Sequence, residues 1–190
     1  MKQRRPWTSW AYVALCGSVL LAGCPGSGTA GGGFTSGGTT GGGITGIMGA
    51  TSSACTVPVN EDTLVAQVLS RVNTERANVG LNTLTVNPVL TKMAEDYCCE
   101  MIEGGFFAHD NPLNGEGPGE RAIQAGYVFL AVGENLAAGQ QTAKEAMDAW
   151  MASLGHKENI LGIQWQEMGI GVRTGGQYGI YWVQVFGRPP

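Results

Sequence analysis

From Pro25 to about Asn60 the chain carries no charged residue and is built largely from glycine, serine and threonine, with Gly31-Gly32-Gly33 and Gly41-Gly42-Gly43 at its centre. Such a segment offers too little apolar surface to offset the entropy lost on ordering it. It predicts a flexible linker with a root-mean-square reach of about 30–35 Å. Any fold is thereby confined to roughly 130 residues from about Asn60 onward, the size of one domain with a sizeable core.

What precedes the linker reads as an address. Lys2, Arg4 and Arg5 give a positive start, and the apolar run from about Trp10 to Leu21 is too short to span a bilayer comfortably as a helix. Leu21-Ala22-Gly23-Cys24 closes it and resembles the lipobox of bacterial lipoproteins. The resemblance implies a signal peptide over 1–23, cleavage before Cys24, and acylation of that cysteine. Residues 24–60 are then the lipidated cysteine and its linker, and 61–190 the domain. The location implied is the bacterial cell envelope, outside the cytoplasm, with the membrane as partner through the lipid. The plainer alternative is an ordinary secretory signal with a chance cysteine. Cys16 leaves with the signal in either case. Loss of Lys2, Arg4 and Arg5 leaves eight basic residues against 15 acidic ones, a net of −7. With no basic run or stripe, nucleic acid is excluded as a partner.

In the domain, Leu64, Val65, Val68, Leu69 and Val72 recur at helical spacing, which predicts a helix over about 61–79 that stops at Gly80. Asn87 caps a second helix and Pro88 suits its first position. Leu90, Met93, Ala94, Tyr97 and Met101 form its apolar stripe, and Gly104-Gly105 ends it. Pro118 to Gln124 predicts a short helix. Thr142-x-x-Glu145 is a capping box that opens a third main helix, with Ala146, Met147, Trp150 and Met151 facing inward. The period then changes to two: 168–173 and 178–186 read as strands joined across Thr174-Gly175-Gly176-Gln177, and a further extended piece lies around 127–136. Helices on a small antiparallel sheet make an α+β domain.

Several of these segments line up with one family. Val72-Asn73-x-x-Arg76 in the first helix, Phe106-Phe107-Ala108-His109 after the second, Gly133-Glu134-Asn135-Leu136, Trp150-Met151-x-Ser153-x-Gly155-His156-x-x-Asn159-Ile160-Leu161, and the closing Gly169-Ile170-Gly171-Val172 with Tyr181-Trp182-Val183-Gln184-Val185-Phe186-Gly187 occur in that order. Together they resemble the CAP superfamily: cysteine-rich secretory proteins, antigen 5 and pathogenesis-related class 1 proteins, also known by their SCP domain. The resemblance implies a three-layer α-β-α sandwich and a cleft holding two histidines and acidic residues, which in some relatives binds a divalent metal. Carried over by motif, the cleft residues are His109, Glu134 and His156. Many animal and plant members have a second glutamate three residues after the tryptophan of the third helix; Ser153 stands there instead, so a four-group site does not carry over whole.

Read for their chemistry alone, His109 and His156 are the chain's two histidines. Imidazole is the commonest neutral metal ligand and titrates near physiological pH. Converging with a carboxylate, the pair is a candidate site for Zn²⁺ or another divalent metal. Glu134 either completes it or orients one imidazole from outside. The alternative is two histidines that hydrogen-bond across a cleft and hold its loops together. Ser153 lies near His156 in sequence but in no G-x-S-x-G elbow, and no H-E-x-x-H occurs, so no nucleophile stands out. Beyond the signal the cysteines are Cys24, Cys55, Cys98 and Cys99. Helical neighbours point about 100° apart, so Cys98 or Cys99 can face Cys55 in a disulfide; free buried thiols or a metal site are the alternatives. Trp150, Trp165 and Trp182 fit core positions better than a sugar platform, with Trp165, flanked by Gln164 and Gln166, expected to be partly exposed.

The function these readings favour is a membrane-tethered secreted binding module whose His/Glu cleft takes a small ligand, lipid, peptide or divalent metal. The alternatives are a hydrolase acting on envelope peptides or glycans through the same cleft, and a structural envelope protein that mediates contacts with an envelope component.

Overall fold

The structure is a computed structural model that describes residues 54–190. The signal segment, Cys24 and most of the linker lie outside the described residues. The elements run α1 (Glu61–Asn78), β1 (Thr85–Val86), α2 (Pro88–Gly104), α3 (Pro118–Gln124), β2 (Ala131–Ala138), α4 (Ala143–Ala152), α5 (Leu154–Ile160), β3 (Glu167–Gly175) and β4 (Gly179–Arg188).

β3 and β4 form the hairpin at the centre of a four-stranded sheet ordered β1-β3-β4-β2. β2 pairs antiparallel with β4, placing Glu134 opposite Val185 and Asn135 opposite Gln184. The expected antiparallel sheet needs one correction, because β1 lies parallel to β3 and makes the sheet mixed. β1 is two residues long, too short for alternation to show in sequence. A side chain helps to hold it: the Asn73 amide accepts from Leu84 N at 2.8 Å and donates to Leu84 O at 3.1 Å, standing in for a neighbouring strand.

Strict alternation along β4 builds the two cores. Ile180, Trp182 and Phe186 join Leu64, Val68 and Val72 of α1 and Met147 and Trp150 of α4. Tyr181, Val183 and Val185 face the other way, onto Leu90, Met93, Tyr97 and Met101 of α2. Helices therefore cover both faces of the sheet, the three-layer sandwich. α2 sits almost on the backbone of β3. A Cβ built on Gly169 would lie 2.1 Å from the Leu90 carbonyl carbon, and one on Gly171 2.4 Å from that of Ala94. The two glycines permit this approach.

The helix starts follow their caps. The Asn87 side chain accepts from Val89 N and Leu90 N, and Thr142 with Glu145 closes the capping box of α4. The third main helix, α4, ends at Ala152. Ser153 is extended, with φ −97° and ψ 125°, and a separate short helix α5, absent from the sequence reading, starts behind it and carries His156. Trp165 also differs from expectation. It is 6% exposed, stacked on Phe186 with ring centroids 5.9 Å apart. Its ring fits because Gly133 has no side chain; a Cβ there would lie 2.8 Å from the indole.

Ahead of α1, Cys55 is bonded to Cys99 of α2. Thr56 exchanges two backbone hydrogen bonds with Thr174 of β3 at 2.9 and 2.8 Å. Cys98, one residue earlier on the helix, points instead into the core, with its Sγ 3.7 Å from the Tyr181 carbonyl. Burial pushes its thiol pKa well above the ordinary value.

Candidate functional site

The edge strand β2 carries Glu134 and Asn135, and the pleat sends neighbouring side chains to opposite faces. Glu134 turns toward α2 and α3. There its Oε1 meets His109 Nδ1 at 2.9 Å and its Oε2 meets Arg121 Nη2 at 2.6 Å. Asn135 turns toward α5, where its amide nitrogen donates to the His156 carbonyl and to Gln184 Oε1, both at 3.1 Å. Asn159 locks the same junction by donating to Glu134 O at 3.1 Å and to Asn135 Oδ1 at 3.0 Å. Two consecutive residues of one strand thus serve the two histidines in different ways: Glu134 aims the ring of His109, and Asn135 holds the main chain of His156.

Arg121, from α3, anchors the His109 side. It is 5% exposed, as is Glu134. Its Nη1 donates to His109 O at 3.0 Å and to Glu116 O at 2.8 Å, and its guanidinium carbon stands 3.3 Å from the Tyr97 ring centroid. The Tyr97 hydroxyl in turn donates to Ala108 O at 2.6 Å and His109 O at 3.0 Å. Burial, chiefly, raises the Tyr97 pKa, which keeps the phenol a donor. The loop bearing His109 is therefore fixed through its carbonyls, which leaves the ring to be set by Glu134.

This geometry assigns hydrogen-bond roles. A carboxylate paired with a guanidinium accepts on both oxygens, so the His109 imidazole donates from Nδ1 to Glu134. His156 is half-buried, and its pKa is lowered from 6.5 first by burial and then by the nearby charge of His109. The lowered pKa favours the neutral His156 ring at physiological pH.

The remaining candidates fall as follows. Ser153 lies at the junction of α4 and α5, its main chain bonded to Trp150 O and Lys157 N. No group of three or more His, Cys, Asp or Glu among the described residues is arranged to hold a metal ion. Trp150 and Trp182 are core residues, each with its indole nitrogen on a backbone carbonyl, Leu136 O and Gln140 O respectively. Sequence reasoning missed Arg121, Tyr97 and Asn159. Arg121 did carry a signal, as the only basic residue between Lys92 and Lys144 in a stretch with eight acidic ones.

A sandwich of this topology with paired histidines served by adjacent residues of an edge strand defines a class. The family model described as the cysteine-rich secretory protein family, CAP, matches residues 69–186. The chain belongs to that family. An uncharacterized protein of Bacillus subtilis, YkwD, is 31% identical over 136 residues, which cover 72% of this chain and 51% of YkwD. The chain thus spans about half the length of that relative. Among solved structures, an extracellular protein with an SCP domain from Bacillus anthracis is 27% identical with a TM-score of 0.58, covering 70% of this chain and 45% of its own. An outer surface protein of Borrelia burgdorferi, at 24% identity and a TM-score of 0.63, covers 70% of this chain and 97% of its own. The two solved structures are described as an extracellular protein and an outer surface protein. No described helix here is long and apolar enough to cross a membrane.

Proposed function

We propose that this chain is a lipid-anchored binding module of the bacterial cell envelope. Cys24 carries the anchor, the charge-free linker gives the domain its reach, and the cleft of His109, Glu134 and His156 takes a small ligand, lipid or peptide. One observation carries the reading. Both oxygens of Glu134 are engaged, by Arg121 and by His109, so this carboxylate positions an imidazole and a guanidinium instead of standing open as a base. An imidazole held in one orientation by Glu134, with the His156 main chain held by Asn135 of the same strand, suits recognition.

A divalent ion such as Zn²⁺ fits this donor set poorly as a resident cofactor, because Glu134 is tied to Arg121 and two imidazoles fall short of the three protein ligands of a catalytic zinc site. It fits better as a guest that brings its own further ligands. The second reading, an envelope-directed hydrolase acting on peptide or glycan, draws support from the Glu134–His109 pair, the orienter and base of a water-activating site.

Native mass spectrometry of the full chain extracted from bacterial membranes, wild type against His109→Ala with His156→Ala, tests the proposal. A bound mass on the wild type that is missing from the folded variant supports binding. Identical bound masses on both proteins, or His109-dependent release of peptide or sugar from purified envelope, would overturn it.

A further inference from the structure

Away from the histidine cleft, a groove of about 690 Å³ opens where the ends of α1 and α5 meet the ends of β3 and β4. Arg76 and Arg188 line it together with Thr83, Gln164, Trp165 and Gln166, and no acidic residue does. That is an exception in a domain where acids outnumber bases 15 to eight.

Arg76 is 1% exposed. Its Nε donates to Asn82 O at 2.8 Å, and its Nη1 to Ile160 O and Gly162 O at 2.9 Å each. Among the described residues Nη2 makes no hydrogen bond and no carboxylate pairs with the group. Burial alone lowers its pKa. Carbonyls satisfy donors, but they do not cancel a full charge, and an unpaired buried cation is disfavoured. Arg188 adds a second guanidinium at the rim, exposed and without an ion pair among the described residues. The Trp165 indole nitrogen is buried without an acceptor among the described residues. Around these stand a hydroxyl and two amides, all able to donate.

We infer that this groove is a binding site for an oxyanion, a phosphate or carboxylate group on a small molecule, with Arg76 as the buried charge and Arg188 as the outer clamp. A guanidinium presents donors in a planar fork that matches either group.

The test titrates the full chain calorimetrically with inorganic phosphate and, separately, with acetate, at low ionic strength. Arg76→Ala would strip α1 of its bonds to the α5 end and is avoided. Arg188→Gln removes an exposed charge, and Gln166→Glu places a repelling one in the groove. Saturable binding of at least one anion, weakened about tenfold by either variant and unchanged in His109→Ala with His156→Ala, establishes the site; which anion saturates names the group. Absence of saturable binding by both anions, or binding that survives Arg188→Gln intact, overturns it.

Discussion

Replacing Arg121 with methionine keeps most of the volume and removes the charge on which the His109 side of the cleft depends. Glu134, with a side chain 1% exposed, would then face the protein interior with only an imidazole N–H beside it. Breaking a buried pair by deleting one partner costs about 3–5 kcal/mol. The carbonyls of His109 and Glu116 also lose a charged donor, and the contact with the Tyr97 ring goes. These losses overlap, so they do not add to the pair term in full. The expectation is about 3–5 kcal/mol, a large part of the 5–15 kcal/mol typical of a domain. Adding Glu134→Gln removes the stranded charge and should restore about 1–3 kcal/mol as a coupling. Urea unfolding of the four proteins at pH 7, with the disulfide intact, gives the cycle. A cost below about 1 kcal/mol for Arg121→Met, or strictly additive variants, would refute the claim that a buried ion pair organises the cleft.

Other consequences are open to the same kind of measurement. Cys55→Ser opens a loop of sequence separation 44 and should cost about 4 kcal/mol on the chain-entropy argument; thermal unfolding reads the loss, and non-reducing peptide mapping should find Cys55 with Cys99 and Cys98 free. Because the folded pKa of His156 lies below 6.5, the unfolded chain binds more protons between those two values. Stability should therefore be fully present above pH 6.5 and fall as the pH drops through that window, a slope that His156→Asn should flatten in urea titrations. Gly171→Ala drives a Cβ into the backbone of α2 at Ala94 and should lower stability by about 1–3 kcal/mol or more, visible as a fall in Tm. Cys24→Ser should move the protein from the membrane fraction to the soluble one if the anchor proposal holds; unchanged fractionation would reject it.

What the sequence made legible was what repeats. Helical spacing in α1 and α2, the Asn87 and Thr142 caps and the alternation of the closing hairpin all recur over several residues, so each position confirms the next. The mixed sheet was illegible because β1 spans only Thr85 and Val86 and is held in part by the Asn73 side chain, a contact with no periodic signature. The break before α5 rests on the conformation of one residue, Ser153. Trp165 misled because Gln164 and Gln166 are polar neighbours in sequence, whereas its burial is decided by Gly133, 32 positions away. The histidines and Glu134 could be read from family motifs. Their wiring could not, since Arg121 reaches the cleft from a seven-residue helix and Asn135 acts through a backbone carbonyl.

The claim on which the rest depends is that His109 and His156, brought in by opposite faces of the edge strand, share one cleft. Nuclear magnetic resonance titration of the His156 ring, in the wild type and in His109→Gln, tests it most directly. Its pKa should lie below 6.5 in the wild type and rise part of the way back in the variant, because burial is the larger cause and the charge of His109 the smaller. A wild-type value at or above 6.5, or one that His109→Gln leaves unmoved, would contradict the shared cleft.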